Sequence, residues 1–299
     1  MAPKINYMSK VEIHINDIEQ NPCCPHGPSV LFERIFQDGR RKKFYACSAC
    51  RDRKLCPFYL EEEQIVKRNE KTTDMQKESS CFNNHATKFK IYLKLLSRIN
   101  KREVYYCETC NMLIADNSKK DHDKCNLSEI LKEKELRTPS HIFSPKSESK
   151  FQAQYFFTDE SLKVIVQLMN DLEIKKVLCI GVPSVYEYVK NNLSMKTFLL
   201  DIDDRYCNFF STTDFCVYNM FNHYFFGGHK SREVYEDFLK ENPADKLLVI
   251  IDPPFGGRVE LISNTLSTLE KEWKRLNNIS GDKTLPVALI FPYFHEKTS

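Results

Sequence analysis

Leu247-Leu248-Val249-Ile250-Ile251-Asp252-Pro253-Pro254-Phe255-Gly256-Gly257 is the stretch from which the fold of this 299-residue chain is read. Leu247 to Ile251 is an unbroken apolar run, mostly β-branched, as in a strand buried on both faces of a parallel sheet. Pro253 and Pro254 stop the ladder, and Gly256 and Gly257 let the backbone turn sharply. In open α/β sheets ligands bind beyond the carboxyl ends of the strands, which is where Asp252 to Phe255 fall.

Working outward, the last half of the chain repeats the same pattern. Val177 to Gly181 reads as a short buried strand ending in glycine, and Thr197 to Asp203 as a second strand ending in acid. Asp214 to Asn222 fits a third strand and its loop, and Val287 to Phe291 a fifth. Helical periodicity covers Asp159 to Asp171, capped by Thr158 or Asp159, and Leu261 to Leu276. Strands alternating with helices predict an α/β fold with a Rossmann-like sheet. A single glycine after the first strand lacks the G-x-G-x-x-G fingerprint, which argues against NAD. His223 and His229 have no cysteine spacing around them and read as loop residues.

The front half is chemically different. Residues 1–150 hold 28 Lys/Arg against 21 Asp/Glu, whereas residues 151–299 hold 16 against 20. A basic front points to a polyanionic partner as readily as to a merely solvated surface. Nine of the twelve cysteines precede residue 126, and no apolar run is long enough to span a membrane or to open the chain as a signal. Paired cysteines in an intracellular chain are expected to bind metal rather than to form disulfides.

Cys23, Cys24 and His26 precede a predicted hairpin (strand Val30 to Phe36, turn Asp38-Gly39, strand Lys43 to Ala46), and Cys47, Cys50 and Cys56 follow it. Such a set surrounds one tetrahedral Zn2+, with five cysteines competing for three places. Arg40 to Lys43 beside Phe44, Tyr45, Phe58 and Tyr59 supply cations for phosphates and rings for bases. Glu61 to Ser80 reads as a charged helix or linker, and Phe89 to Ile99 as an amphipathic helix. Cys107, Cys110, His122 and Cys125 form a second zinc pattern; Cys81 and His85 are a further pair without an assigned role. Leu127 to Arg137 reads as a charged helix, and prolines mark a boundary near residue 140. Three domains are expected: zinc modules over 21–62 and 80–137, and the α/β domain over 145–299.

Several of these runs carry resemblances. Asp252-Pro253-Pro254-Phe255 resembles the (D/N/S)-P-P-(F/Y/W) motif of amino-group methyltransferases, and Gln154-Tyr155-Phe156 the Q-Y-F stretch ahead of the sheet in N6-adenine methyltransferases. The first cysteine module resembles a GRF-type zinc finger, which implies Cys24, His26, Cys47 and Cys56 as ligands, with Cys23 and Cys50 as substitutes. Together with V-L-C-I-G, L-L-D-I-D and Y-N-M-F-N, these runs resemble the CCHC zinc-finger-containing ribosomal-RNA adenosine N6-methyltransferases from residue 23 onward. The resemblance implies a transferase that uses S-adenosylmethionine to methylate adenosine N6 in large-subunit ribosomal RNA, in the nucleus (nucleolus) and cytoplasm.

It implies that Asp252, Pro253, Pro254 and Phe255 receive the adenine, and that Gln154, Tyr155, Phe156, Gly181 and Asn219 border the cofactor. Asp201 or Asp203 would hold its ribose; alternation along the strand points the two to opposite sides. The family continues past the fifth strand into further strands and a CCHC region, so the chain, ending at Ser299, is expected to leave a sheet edge open. The alternative expectation is a zinc-finger RNA-binding protein whose shortened methyltransferase domain does not turn over.

Overall fold

The computed structural model describes residues 10–15, 17–50, 52–65, 74–143, 157–240, 242, 245–254 and 256–290. The chain forms two units: Met1–Thr73 with Asn219–Tyr224 and Gly256–Thr268, and Asp74–Tyr218 with Phe225–Phe255 and Leu269–Ser299.

The first unit is built on an antiparallel sheet, β1 (Lys10–His14), β2 (Val30–Ile35), β3 (Arg41–Ala46) and β4 (Tyr59–Glu61), in that order. Its hairpin turns at Asp38-Gly39, where Gly39 takes φ +81°, a conformation costly for a side chain. Register pairs Phe32 with Phe44, and the rings of Phe32, Phe44 and Tyr59 stack at 5.6 and 5.1 Å. β1 was not evident from the sequence; its Val11 and Ile13 alternate with the charged Lys10 and Glu12 along the edge of β2.

The second unit carries the hairpin β5 (Val104–Cys107) and β6 (Met112–Ala115) and a sheet of β7 (Lys176–Ile180), β8 (Lys196–Asp201), β9 (Phe215–Asn219), β10 (Leu247–Ile251) and β11 (Val287–Leu289), with a two-residue strand at Tyr224–Phe225. Spatial order is Tyr224–Phe225, β9, β8, β7, β10, β11, and the pairs β9–β8, β8–β7, β7–β10 and β10–β11 are parallel. β7, β9 and β10 are buried along their whole length, as their apolar runs require. The order reverses between β7 and β10, the topological switch point at which open α/β sheets bind ligands. β11 is short and its Val287 and Leu289 are exposed.

Helices α1 (Asp74–Leu96), α2 (Asp159–Asp171), α3 (Pro183–Asn192), α4 (Gly228–Leu239) and α5 (Val259–Leu276) complete the chain. Thr158 caps α2, its hydroxyl accepting from the Ser161 N–H at 3.3 Å. The charged stretch Glu61 to Ser80, expected as a helix or linker, contains the start of α1, at Asp74.

Two expectations change in this unit. Helix forms only over Glu133–Arg137; Leu127 and Leu131 instead make antiparallel bridges to Cys107 and Val104 of β5 (Val104–Cys107), which pairs with β6 (Met112–Ala115). Their i, i+4 spacing mimics a helix, but tertiary pairing decides. Residues 80–137 are also not a separate body. Tyr106, Leu113, Leu131, Leu136 and Phe143 lie in one core with Val177, Leu199 and Ile250. At the expected boundary, buried Ser140 gives its N–H and hydroxyl to Glu187 of α3. Burial without a cation raises the Glu187 carboxyl to about 8.

Candidate active site and metal centres

At the switch point the strand ends are tied together by backbone. The Asp252 N–H donates to Ile180 at 3.1 Å, and the Gly181 N–H to Leu200 at 2.9 Å. Gly181 has φ +69°, which lets the chain leave β7 where a side chain would be strained. Gly181, Asp201 and Asp252 therefore end three adjacent strands, β7, β8 and β10.

Asp252 is half-buried, and among the described residues no donor or cation reaches its carboxylate. Desolvation alone raises it to about 7. Such a group is an acceptor held in reserve: at the strand tip, a donor brought by a ligand would stabilise the charged form. Pro253 is buried and Pro254 half-buried beside it. Phe255, Gln154, Tyr155 and Phe156 lie outside the described residues.

Asp201 and Asp203 are both buried, at 5 % and 1 % exposure, but their environments differ. Asp203 caps the 3-10 turn Asp204–Asn208 by accepting from the Arg205 N–H at 3.1 Å, and it takes both the Nε and a terminal nitrogen of the Arg205 guanidinium. Asp201 accepts the Asp203 N–H at 2.8 Å. Asp203 is thus a structural carboxylate, and Asp201 is the better placed of the two at the end of β8.

Asn219, expected to border a cofactor, is the last residue of β9 and the first of the segment Asn219–Tyr224 that groups with the first unit. Its Nδ2 donates to the His26 carbonyl at 2.8 Å and to Ser48 at 3.1 Å, and its Oδ1 accepts from the Phe221 N–H at 3.0 Å. With 1 % exposure it ties the loop that carries His26 of the first cysteine set. Asn222 donates to the same loop through Pro28 at 2.8 Å. Gly27 completes the fit, since a Cβ there would come within 2.5 Å of Tyr224.

Both cysteine sets converge. The ligand atoms of Cys24, His26, Cys47 and Cys56 lie within 4.8 Å of one another, as do those of Cys107, Cys110, His122 and Cys125. Soft thiolates with one imidazole suit Zn2+, and four protein ligands close its shell, as in structural sites. Cys50 stands at 3.7 Å from His26 Nε2 and gives its N–H to Cys47 Sγ at 3.3 Å, supporting the first set from outside. Cys23 is exposed and belongs to neither set. His85 is in neither: its Nε2 bonds the Phe210 carbonyl at 2.9 Å, and burial lowers its pKa.

On the first unit's sheet, the hairpin cations each face an acid: Arg40 with Asp38, Arg41 with Glu33, Lys42 with Glu61, Lys43 with Glu62. Arg34 over Phe44 at 5.7 Å and Arg53 over Tyr59 at 4.2 Å add two further cation–ring pairs to the aromatic stack. Neither arginine stood out in the sequence: strand register brings Arg34 to its ring, and the turn over 52–55 brings Arg53 to Tyr59. A separate groove of about 610 Å³, lined by Lys101, Arg102 and Lys132 among others, shares no residue with the strand tips.

Residues 148–291 match the model of the family described as "Probable N6-adenine methyltransferase". Among curated proteins, the chain is 35% identical over 293 residues to the human "rRNA N(6)-adenosine-methyltransferase ZCCHC4", covering 92% of this chain and 55% of that protein. The mouse protein of the same name is 35% identical over 303 residues (96% and 58%), and that of Xenopus laevis 34% over 291 (93% and 58%). The chain thus spans little more than half the length of these relatives.

Proposed function

We propose, from the match of residues 148–291 to the model of probable N6-adenine methyltransferases and from the similarity to the ribosomal-RNA enzymes, that the chain methylates adenosine N6 in RNA, with large-subunit ribosomal RNA as substrate. Bound S-adenosylmethionine would supply an electrophilic methyl group on sulfonium. The chain's own part begins at Asp252. An adenine amine is a weak nucleophile because its lone pair is delocalised into the ring. The Asp252 carboxylate and the Pro253 carbonyl accept its two N–H bonds, favour a pyramidal nitrogen, and stabilise the positive charge that develops on attack. Asp252 acts as an acceptor and need not remove the proton; the methylated amine loses it to water. Phe255 provides a face on which an unstacked base rests. Asp201 holds the donor's ribose, and Gly181 leaves room for the donor between β7 and β10.

The observation that carries this reading is Asp252 itself: a half-buried carboxylate without a partner among the described residues, at the tip of a fully buried strand, at the point where strand order reverses. Two structural Zn2+ ions complete the protein, one in each cysteine set, and the ring–arginine face of the first module contacts single-stranded RNA. A ribosomal-RNA substrate would put the protein in the nucleolus and, for finished ribosomes, the cytoplasm. No helix among the described residues is long and apolar enough to cross a membrane.

The test is mass spectrometry of nucleosides after incubating the chain with large-subunit RNA and isotopically labelled S-adenosylmethionine. Labelled N6-methyladenosine, abolished by Asp252→Ala, is expected. RNA binding without any labelled nucleoside would leave the binding-protein alternative standing.

A further inference from the structure

Asn111 directly follows Cys110, a ligand of the second cysteine set, and adopts φ +52°. Asparagine tolerates this left-handed conformation better than most residues. Its side chain is fully engaged within the second unit. Oδ1 accepts from the Tyr106 hydroxyl at 2.8 Å and from Asn208 Nδ2 at 3.0 Å, and Nδ2 donates to Asp204 Oδ2 at 3.2 Å. The Asn111 carbonyl takes a second, longer bond from Asn208 Nδ2 at 3.3 Å.

Asp204 and Asn208 are the two ends of the 3-10 turn that follows β8. A turn this short has little stability of its own and stays where its neighbours hold it. Asp203 caps that turn, and its N–H fixes one oxygen of Asp201. From Asn111, next in the chain to the ligand Cys110, hydrogen bonds lead through Asn208, Arg205 and Asp203 to the carboxylate at the end of β8.

We propose that Asn111 is a positioning residue for methyl-donor binding: by locking the Asp204–Asn208 turn to the second zinc knuckle, it sets the orientation in which Asp201 meets the donor's ribose hydroxyls. The inference rests on the methyl-transfer reading above. It gives the second module a task besides RNA binding, because the knuckle then supports the donor pocket from behind.

Calorimetric titration of the whole chain with S-adenosylmethionine tests it, with zinc content measured on the same samples. Asn111→Gly keeps the left-handed backbone and deletes only the side-chain bonds; Asn208→Ala breaks the tie from its other end. Each variant is expected to keep its zinc and to raise the donor Kd about tenfold, roughly the effect of one misplaced hydrogen bond. The double variant should be little worse than either single one. At saturating donor, kcat should return close to the parent value, leaving the effect in KM. Two zinc-loaded variants that bind donor within twofold of the parent would overturn the proposal. So would loss of zinc in Asn111→Gly, which would make Asn111 a residue of the knuckle alone. If the parent chain binds donor and Asp201→Ala binds it equally well, this inference falls while the methyl-transfer reading stands. A parent chain that binds no donor overturns both.

Discussion

The two cysteine modules use the same ligand chemistry for different structural ends. In the first, the cysteine set belongs with a four-stranded antiparallel sheet with a modest core, Val30, Phe44, Cys47 and Cys56, whose Phe44 is flanked by the half-buried rings of Phe32 and Tyr59 and by the exposed Arg34 and Arg53. In the second, the metal set closes a two-stranded hairpin whose Val104, Tyr106 and Leu113 are at most 2 % exposed and share a core with the parallel sheet. A cysteine module can thus be a platform with its own surface, or a component of a larger core. What distinguishes them is where the apolar residues between the ligands are buried, since the ligand sets themselves are nearly alike.

Removing the metals one at a time is the strongest way to break this comparison. Cys107→Ser should collapse cooperative unfolding of the second unit, because an unliganded hairpin would leave part of the main core unsupported; differential scanning calorimetry should show its transition lost or greatly lowered. Cys47→Ser should leave that transition in place and abolish only the first unit's. Equal losses from both variants would erase the distinction.

Next in size is the strand tip. Asp252→Ala should lower kcat by about 10²-fold or more, the usual effect of deleting an acceptor or donor matched to transition-state charge, with donor affinity changed little. Single-turnover methylation and equilibrium donor binding separate the two. At the ring ladder the effect should be smaller. Arg34→Ala or Arg53→Ala should each weaken single-stranded RNA binding about three- to tenfold and flatten its salt dependence, without changing donor affinity. Filter binding across a salt series reads both quantities.

The smallest effect concerns Glu187. Its folded-state pKa, about 8, lies above the ordinary 4.5, so between these values the folded protein keeps a proton that the unfolded chain has released. Stability from this group is therefore present at low pH and falls as pH rises through that window. Glu187→Gln keeps an acceptor for the Ser140 N–H and removes the charge. It should flatten the decline of Tm between about pH 5 and 8, and a parallel decline in both proteins would contradict the assignment.

Much of this arrangement was legible in the sequence because it is local. Leu247–Ile251 matched its apolar run to the residue, and α2 matched its helix over Asp159–Asp171 because Thr158 announces its start. Ligand spacing likewise led to both cysteine sets that the fold draws together. What stayed hidden depends on distant pairing. Leu127 and Leu131 looked helical until β5 took them as bridge partners. Asn219 gave no sign in the sequence of the bonds its amide makes to His26 and Ser48, 193 and 171 positions earlier. Asn111 carried no signal beyond its place after a cysteine, because its partners Asp204 and Asn208 are remote in the chain.

The most direct test of the account is the pH dependence of methyl transfer from S-adenosylmethionine to RNA, measured under single turnover for the parent chain and Asp252→Asn. Burial has raised the Asp252 carboxyl to about 7, and only the ionised form is the strong acceptor. The parent rate should climb as pH rises through about 7 and then level off. Asp252→Asn keeps a carbonyl acceptor but cannot ionise, so it should be slower and flat across the same range. Superimposable profiles for the two proteins would show that this carboxylate does not receive the attacking amine.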